Sequence, residues 1–215
     1  MTQERAIAGV DFKAALMHAG DCVCAAKDEL CALDGAAGDG DLGATLATGF
    51  ANVRESLLDA DSSDVGAMLS TIGLQLARKA PSTIGTLLAT AFMAAGKGLA
   101  GVSAVDATQI AVSLGVATDA LASRGGATPG ERTIVDAMDG AATSATRAAE
   151  QGADARETLM AAAEGARIAA EATADMEPRH GRAGWLREGA GGTADAGAVA
   201  WAIYLGGLAE GLRGR

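Results

Sequence analysis

Three aspartates lie close together in a glycine-rich stretch near the start of the chain. Asp34, Asp39 and Asp41 stand in the run Leu33-Asp34-Gly35-Ala36-Ala37-Gly38-Asp39-Gly40-Asp41-Leu42-Gly43. Carboxylates this close repel one another, and Mg²⁺ is commonly held by a few carboxylates, water and phosphate oxygens. Glycine permits tight turns, which would let the three side chains converge. The run therefore predicts a Mg²⁺–phosphate site, with simple helix capping by the aspartates as the alternative.

Three other interpretations of glycine-rich runs fit this chain poorly. Residues 38–43 match the letters G-x-G-x-x-G, but the preceding residues look helical, and two carboxylates would repel a dinucleotide's pyrophosphate. In an EF-hand, Phe50 would stand where the loop needs its bidentate glutamate. Lys97 lacks both the adjacent Ser/Thr and the upstream glycine of a Walker A motif.

Other polar residues suggest anion contacts, each with a simpler alternative. Ser82-Thr83-Ile84-Gly85-Thr86 offers hydroxyls and backbone N–H groups at a helix start, and Asp195-Ala196-Gly197 opens another helix, although both could be plain N-caps. Arg182 lies in a glycine-rich loop and could donate to phosphate oxygens, or simply be solvated. His18 and His180 have no acid–base partner visible in the sequence, and we interpret both as non-catalytic.

Composition narrows the class of protein. The 215 residues suit a single domain, and the formal net charge of −10 argues against nucleic-acid and anionic-membrane partners. No signal peptide or run of about 20 apolar residues is recognisable. Three clustered cysteines, an odd number without a paired C-x-x-C framework, argue against disulfides and zinc and indicate a reduced, cytoplasmic setting: Cys22, Cys24 and Cys31.

The apolar spacing predicts about eight helices and no persistent strand. We expect one helical region over 7–33, interrupted at Gly20-Asp21, and a helix over 44–58. Further helices should contain Leu69, Leu88 and Ile203. Capping-box spacings predict three more helix starts, from Ser103 with Asp106, Thr133 with Asp136 and Asp154 with Glu157, running to about 124, 151 and 175. Residues 178–194 look irregular. An all-α bundle or barrel follows.

Taken together, these segments resemble the dihydroxyacetone kinase L subunit (DhaL) family. The similarity covers essentially the whole chain and is specific as an ordered set rather than in any single motif. Its elements are the D-x(4)-D-x-D loop at 34–41, Ile84-Gly85-Thr86-Leu87, Arg124-Gly125, Pro129-Gly130-Glu131-Arg132-Thr133-Ile134-Val135-Asp136-Ala137, Gly181-Arg182-Ala183 and Asp195-Ala196-Gly197-Ala198.

The resemblance implies an eight-helix antiparallel barrel with Mg²⁺ and ADP or ATP at one rim. Asp34, Asp39 and Asp41 would hold Mg²⁺. The phosphate side would be lined by Leu42, Gly43, Ala44, Thr45, Thr83 and Ile84, and the nucleotide's adenine end by Gly125 and Ile134. Arg182, also the expected catalytic residue, would complete the phosphate cradle with Asp195, Ala196 and Gly197.

The resemblance also implies partners and a reaction. A separate K-type subunit would hold a short-chain ketose through a histidine, and the L part would deliver the phosphoryl group from ATP or from a phosphoprotein of the sugar phosphotransferase system. Leu42 replaces a frequent histidine and Pro81-Ser82-Thr83-Ile84-Gly85 replaces a glycine-rich loop, which leaves the ketose open. Homodimer formation is open too. A regulatory Mg-ADP-binding protein and the nucleotide domain of a fatty-acid kinase are the alternatives.

Overall fold

The computed structural model describes residues 6–36, 38–180 and 192–213, and within these it is almost entirely helical. One two-stranded antiparallel sheet is present, formed by β1 (Ile7–Ala8) and β2 (Ala104–Val105). A 3₁₀ turn covers Thr173–Asp175. The nine α-helices of the described residues are α1 (Gly9–Ala25), α2 (Lys27–Gly35), α3 (Leu42–Leu58), α4 (Val65–Lys79), α5 (Thr83–Gly98), α6 (Ala107–Gly125), α7 (Ile134–Glu150), α8 (Ala155–Ala172) and α9 (Ala196–Glu210).

Eight of these helices form a closed ring. Following the ring, α1 packs on α3, each helix from α3 to α8 packs on the next, and α9 returns to pack on α1. Neighbouring helices joined by short connections run antiparallel. The ninth helix, α2, is short and packs against α3 and α9. The predicted all-α, eight-helix barrel is therefore confirmed, with one additional helix beside the ring.

The first predicted helix is divided in a different place from the one expected. The break lies at Ala26, between α1 and α2, whereas Gly20 is buried inside α1. A Cβ atom at Gly20 would lie 3.3 Å from Cδ1 of Phe50, so the glycine serves close packing against α3 rather than chain interruption. The prediction of no persistent strand is confirmed, because the strands of the described residues are only two residues long and pair where α1 and α6 begin.

Capping boxes start three of the helices. Two of the three match the predicted pairs, Thr133 with Asp136 and Asp154 with Glu157. The third capping box begins three residues later than predicted, because Asp106 is itself the N-cap and forms its box with Gln109. Ser103 instead accepts a backbone hydrogen bond from Gly9 N at 2.9 Å, which fastens the start of α1.

The ring interior is filled with apolar side chains. Phe50, Phe92, Trp201 and Tyr204 form an aromatic cluster in which neighbouring ring centroids are 5.3 to 6.1 Å apart. A cavity of about 60 Å³ adjoins this cluster. Elsewhere alanine and glycine allow close helix contacts, since a Cβ at Gly140 would lie 2.7 Å from the carbonyl oxygen of Gly165. Among the described residues no helix is both long and apolar enough to span a membrane.

Candidate functional site

Alternate helices of the ring begin at the same rim. The site rim comprises the starts of α3, α5, α7 and α9, and the far rim comprises the starts of α1, α4, α6 and α8. A Cβ atom at Gly197 would lie 3.3 Å from Cβ of Ile134 and 3.6 Å from Cδ1 of Ile84, so three of these helix starts meet. At Gly125, the end of α6, a Cβ would lie 3.4 Å from Leu87. The antiparallel order therefore gathers predicted residues that are more than 100 positions apart in the chain.

The three predicted metal ligands come together at this rim. One carboxylate oxygen from each of Asp34, Asp39 and Asp41 can be chosen so that all three lie within 4.8 Å of one another. Ligands on opposite sides of an octahedral Mg²⁺ ion are about 4.2 Å apart, so small side-chain movements would bring all three to one ion. The donor set is hard and anionic, as Mg²⁺ requires. The arrangement fits the ion.

Asp34 also caps a helix, so both interpretations of the aspartates have a structural basis. Its Oδ2 accepts hydrogen bonds from the backbone N–H groups of Asp41 at 3.0 Å and Leu42 at 3.2 Å. Its Oδ1 lies 2.5 Å from the position a Cβ would take at Gly38. Gly40 has a φ of 76°, which only glycine adopts readily. The glycines thus let the loop fold tightly around the Asp34 carboxylate.

The start of α3 lies close to α2 and follows the aspartate loop directly. A Cβ at Gly43 would lie 2.0 Å from the carbonyl oxygen of Lys27, so any larger residue would separate the two helices. Leu42, Gly43, Ala44 and Thr45 form the first turn of α3. The N–H groups of a first helical turn point out of the helix end and favour anions. This turn can therefore face the phosphates of a ligand held by the aspartates.

The start of α5 is capped by a neutral hydroxyl. Ser82 Oγ accepts from Gly85 N at 3.1 Å, and Thr83 and Ile84 are the first two helical residues. Gly85 packs tightly here, because a Cβ would lie 2.0 Å from the carbonyl oxygen of Ala80. The cap adds no charge to the rim, so the positive end of the α5 dipole is left for an anion.

The α7 start contains a residue that the sequence did not single out as functional. Arg132 is buried, has a φ of 58°, and is the only non-glycine residue with positive φ among those described. One of its guanidinium nitrogens, Nη2, donates to the carbonyl oxygen of Thr193, whereas Nη1 has no hydrogen-bond partner within the described part of the chain. The surrounding residues, Pro129 to Thr133, contain no pattern that predicts a buried arginine. Arg132 ties the α7 start to the segment that precedes α9.

Asp195 is close enough to interact electrostatically with both Arg132 and Asp136. Asp136 accepts from Thr133 N at 2.7 Å and from Gly130 N. Asp195, the N-cap of α9, accepts from Ala198 N at 2.8 Å, and its own N–H donates to Thr173 Oγ1 at 2.8 Å.

Burial raises the pKa of the Asp195 carboxyl to about 6. The hydrogen bond from Ala198 lowers the pKa and the nearby Asp136 raises it again, while Arg132 and a hydrogen bond from Gly197 oppose the shift. The α9 start thus carries a carboxyl group that changes charge close to neutral pH, next to a buried cation.

Arg182, predicted to contact phosphate, lies outside the described residues, and its role stays a prediction. His180 forms a hydrogen bond with Glu131, with 2.6 Å between His180 Nε2 and Glu131 Oε2. The pKa of Glu131 is lowered mainly by a hydrogen bond from the backbone N–H of Thr128, and the hydrogen bond with His180 lowers it further. The sequence had shown no partner for this histidine, because the two residues are 49 positions apart.

Comparison with known proteins agrees with this fold. The DAK2 domain family matches residues 36–210, which is most of the chain. The chain therefore belongs to the DAK2 domain family.

The chain is also similar to two curated proteins over most of its length. The chain is 30% identical over 184 residues to the ADP-binding subunit DhaL of the PEP-dependent dihydroxyacetone kinase of Escherichia coli, covering 86% of this chain and 88% of DhaL. It is 37% identical over 180 residues to a D-erythrulose kinase of Mycolicibacterium smegmatis, covering 83% of this chain but 31% of that enzyme. The chain thus spans about a third of the length of the erythrulose kinase and nearly the whole of DhaL. The resemblance to DhaL is confirmed.

A solved structure has the same helical ring. The dihydroxyacetone kinase of C. freundii, determined with AMP-PNP and Mg²⁺, superimposes with a TM-score of 0.70 at 27% identity. The match covers 92% of this chain and 33% of that one.

Proposed function

We propose that this chain is the Mg²⁺–nucleotide-binding component of a kinase for dihydroxyacetone or a related short-chain ketose. In this proposal the helical ring acts as one DhaL-like domain that delivers a phosphoryl group to a ketose held by a separate K-type subunit or domain. The observation that carries the proposal is the convergence of three carboxylates with four helix starts at one rim. Two relatives support it: DhaL of Escherichia coli is an ADP-binding subunit, and the dihydroxyacetone kinase of C. freundii forms a complex with AMP-PNP and Mg²⁺.

The proposed roles follow the geometry of the site rim. Bound Mg²⁺ would offset the charge of the nucleotide phosphates and of the transferring phosphoryl group. Asp34, Asp39 and Asp41 would hold that ion. The first turns of α3 and α5 would direct N–H groups at the phosphates, and Arg182 with Asp195, Ala196 and Gly197 would complete the phosphate cradle. Gly125 and Ile134 would contact the adenine end of the nucleotide. Catalysis by such a site comes from positioning and preorganised charge, not from a covalent intermediate on this chain.

Calorimetry with Mg-ADP tests the binding part of the proposal. Wild-type protein should bind, and Asp39→Ala should lower the affinity at least tenfold, because one metal ligand is lost. The matched control is Asp59→Ala, which makes the same change at an exposed position where α3 ends, at the far rim. Equal affinities for the wild type and Asp39→Ala would contradict the proposal.

Phosphoryl transfer tests the catalytic part. The chain is mixed with a K-type subunit, a ketose and either ATP or a phosphorylated phosphotransferase-system protein, and sugar phosphate is measured. Product with one donor identifies that donor. Mg-ADP binding without product from either donor would instead favour a regulatory, non-catalytic role.

A further inference from the structure

A second group of metal-ligating side chains lies away from the site rim, where the first and last helices of the ring meet. His18 and Cys22 lie on α1, and Glu210 ends α9. One ligand atom from each can be chosen so that all three lie within 4.8 Å of one another. His18 Nε2 is 3.7 Å from Cys22 Sγ and 3.9 Å from Glu210 Oε2. We refer to these three residues as the seam cluster.

The helices are built so that these side chains can meet. His18 and Cys22 are four residues apart, so they project from the same face of α1. Gly207 of α9 and Gly211, the residue after its end, face them: a Cβ at Gly207 would lie 2.9 Å from Cys22 Sγ, and one at Gly211 would lie 3.2 Å from His18 Cβ. Any side chain at these positions would push α9 away from α1. The glycines therefore bring the end of α9, with Glu210, within reach of the pair on α1.

The distances match those between ligands of a tetrahedral transition metal. Zn²⁺ is bound by thiolate sulfur at about 2.3 Å and by imidazole nitrogen or carboxylate oxygen at about 2.0–2.2 Å, which places neighbouring ligand atoms about 3.3–3.6 Å apart. The separation of His18 Nε2 from Cys22 Sγ exceeds the nitrogen–sulfur value by about 0.1 Å, and its separation from Glu210 Oε2 exceeds the nitrogen–oxygen value by about 0.5 Å, which small side-chain movements would close. Zn²⁺ accepts nitrogen, sulfur and oxygen donors, whereas Mg²⁺ and Ca²⁺ prefer oxygen alone.

We propose that the seam cluster binds a divalent transition metal such as Zn²⁺ through His18 Nε2, Cys22 Sγ and a Glu210 carboxylate oxygen, with water in the fourth position. The metal–sulfur bond forms as the Cys22 S–H bond breaks, and the proton passes to solvent. No electron is transferred. The bound ion joins α1 to α9 and so fastens the ring where it closes.

Cobalt(II) added to the metal-free chain tests this site spectroscopically. A tetrahedral thiolate site gives a thiolate-to-cobalt charge-transfer band in the near ultraviolet, and we expect it to saturate at one equivalent per chain. Because the aspartates of the site rim offer only oxygen, they contribute no such band. The band should therefore persist in Asp39→Ala and disappear in Cys22→Ser.

Matched variants separate the seam cluster from other thiols. Cys24→Ser should keep the band, because Cys24 Sγ donates to the carbonyl oxygen of Ala47 instead. His18→Gln and Glu210→Gln should each weaken cobalt binding at least tenfold. His18→Gln, at an exposed position, carries the test if Cys22→Ser is unstable. No band, a band that survives Cys22→Ser, or unchanged binding in both His18→Gln and Glu210→Gln would overturn the proposal.

Thermal unfolding gives an independent readout. Binding to the folded state alone at a hundredfold excess of Zn²⁺ over Kd should raise Tm by about 5–10 °C. The shift should be lost in His18→Gln and kept in Cys24→Ser. An equal shift in wild type and His18→Gln would also overturn the proposal.

Discussion

The helix starts at the two rims of the ring are capped by different kinds of residue. On the far rim, Asp64, Asp106 and Asp154 cap α4, α6 and α8 with carboxylates. On the site rim, Ser82 and Thr133 cap α5 and α7 with neutral hydroxyls, although Asp136 places a carboxylate in the first turn of α7. A carboxylate cap offsets the positive end of the helix dipole, whereas a hydroxyl satisfies the N–H group without adding charge. Carboxylate caps thus offset three of the four helix dipoles at the far rim, whereas the α5 start at the site rim keeps its positive potential for an anion.

The remaining two helix starts of the site rim do carry acidic caps, and each has a means of losing its charge. Asp34 caps α3, and in our proposal a cation shared with Asp39 and Asp41 neutralises it. Asp195 caps α9, and its raised pKa of about 6 lets it take up a proton.

The largest expected effect comes from Asp34→Ala. This change removes a metal ligand together with the cap of α3, so Mg-ADP affinity should fall at least a hundredfold and stability by about 1–2 kcal/mol. Asp64→Ala is the matched change on the far rim, where Asp64 Oδ1 accepts from Ala67 N at 2.9 Å. It should cost similar stability and leave the affinity unchanged. If both variants bind Mg-ADP equally well, the proposed distinction between the rims is wrong. Calorimetry and urea unfolding supply the two quantities.

Asp195→Asn should raise stability at neutral and alkaline pH. The carboxyl titrates near 4 in the unfolded chain and at about 6 in the folded one. Between these values the folded state binds more protons, so this group's contribution to stability falls as pH rises from about 4 to 6 and stays low above that range. Asparagine keeps a cap without a charge. We therefore expect a gain of about 1–3 kcal/mol at pH 8 and about half of it at pH 5.

Urea unfolding at both pH values measures this gain. Asp106→Asn makes the same exchange in a far-rim cap and reports the effect of the cap alone. A stability for Asp195→Asn that equals that of the wild type at pH 8 would contradict the argument.

Ser82→Asp would give a site-rim helix start the chemistry of the far rim. Serine and aspartate are similarly good N-caps, so stability should change by less than about 1 kcal/mol. The added carboxylate would repel nucleotide phosphates, and Mg-ADP affinity should fall about tenfold. The reciprocal change, Asp106→Ser, should not alter the affinity. Calorimetry on the pair decides whether the cap charge matters only at the site rim.

The smallest effect is expected from Lys13→Met on the far rim. Lys13 Nζ donates to the carbonyl oxygens of Leu58 and Ala60, both at 2.8 Å, and so satisfies the end of α3. Loss of these bonds should lower stability by about 0.5–1 kcal/mol with no change in nucleotide affinity. A measurable loss of affinity would mean that the two ends of α3 are coupled.

Much of the fold could be predicted because local signals were strong. Apolar spacing located the helices, and the capping pairs at Thr133 and Asp154 marked starts that the structure has. The break at Ala26 was missed because Ala26 looks like a helix former, whereas Gly20, which looks like a breaker, is held in α1 by packing on Phe50. Tertiary contacts decided both cases.

The candidate site was only partly visible in the sequence. The aspartate spacing indicated a shared cation, and the three side chains do come together. Arg132 was missed because the partner of its guanidinium group, the carbonyl oxygen of Thr193, lies 61 positions further along the chain. The seam cluster was missed for the same reason: Glu210 is 188 residues beyond Cys22. Contacts between remote parts of a chain leave no periodic trace in it.

The contact of α1 with α9 also has a kinetic consequence. Until α9 has been synthesised, α1 and α8 each lack a neighbour, and their apolar faces stay open to water. Such a long-range closure is slow compared with pairing between adjacent helices, so partly made chains are exposed to aggregation and to chaperones. Cooperative folding of this ring therefore cannot be completed before α9 has been synthesised.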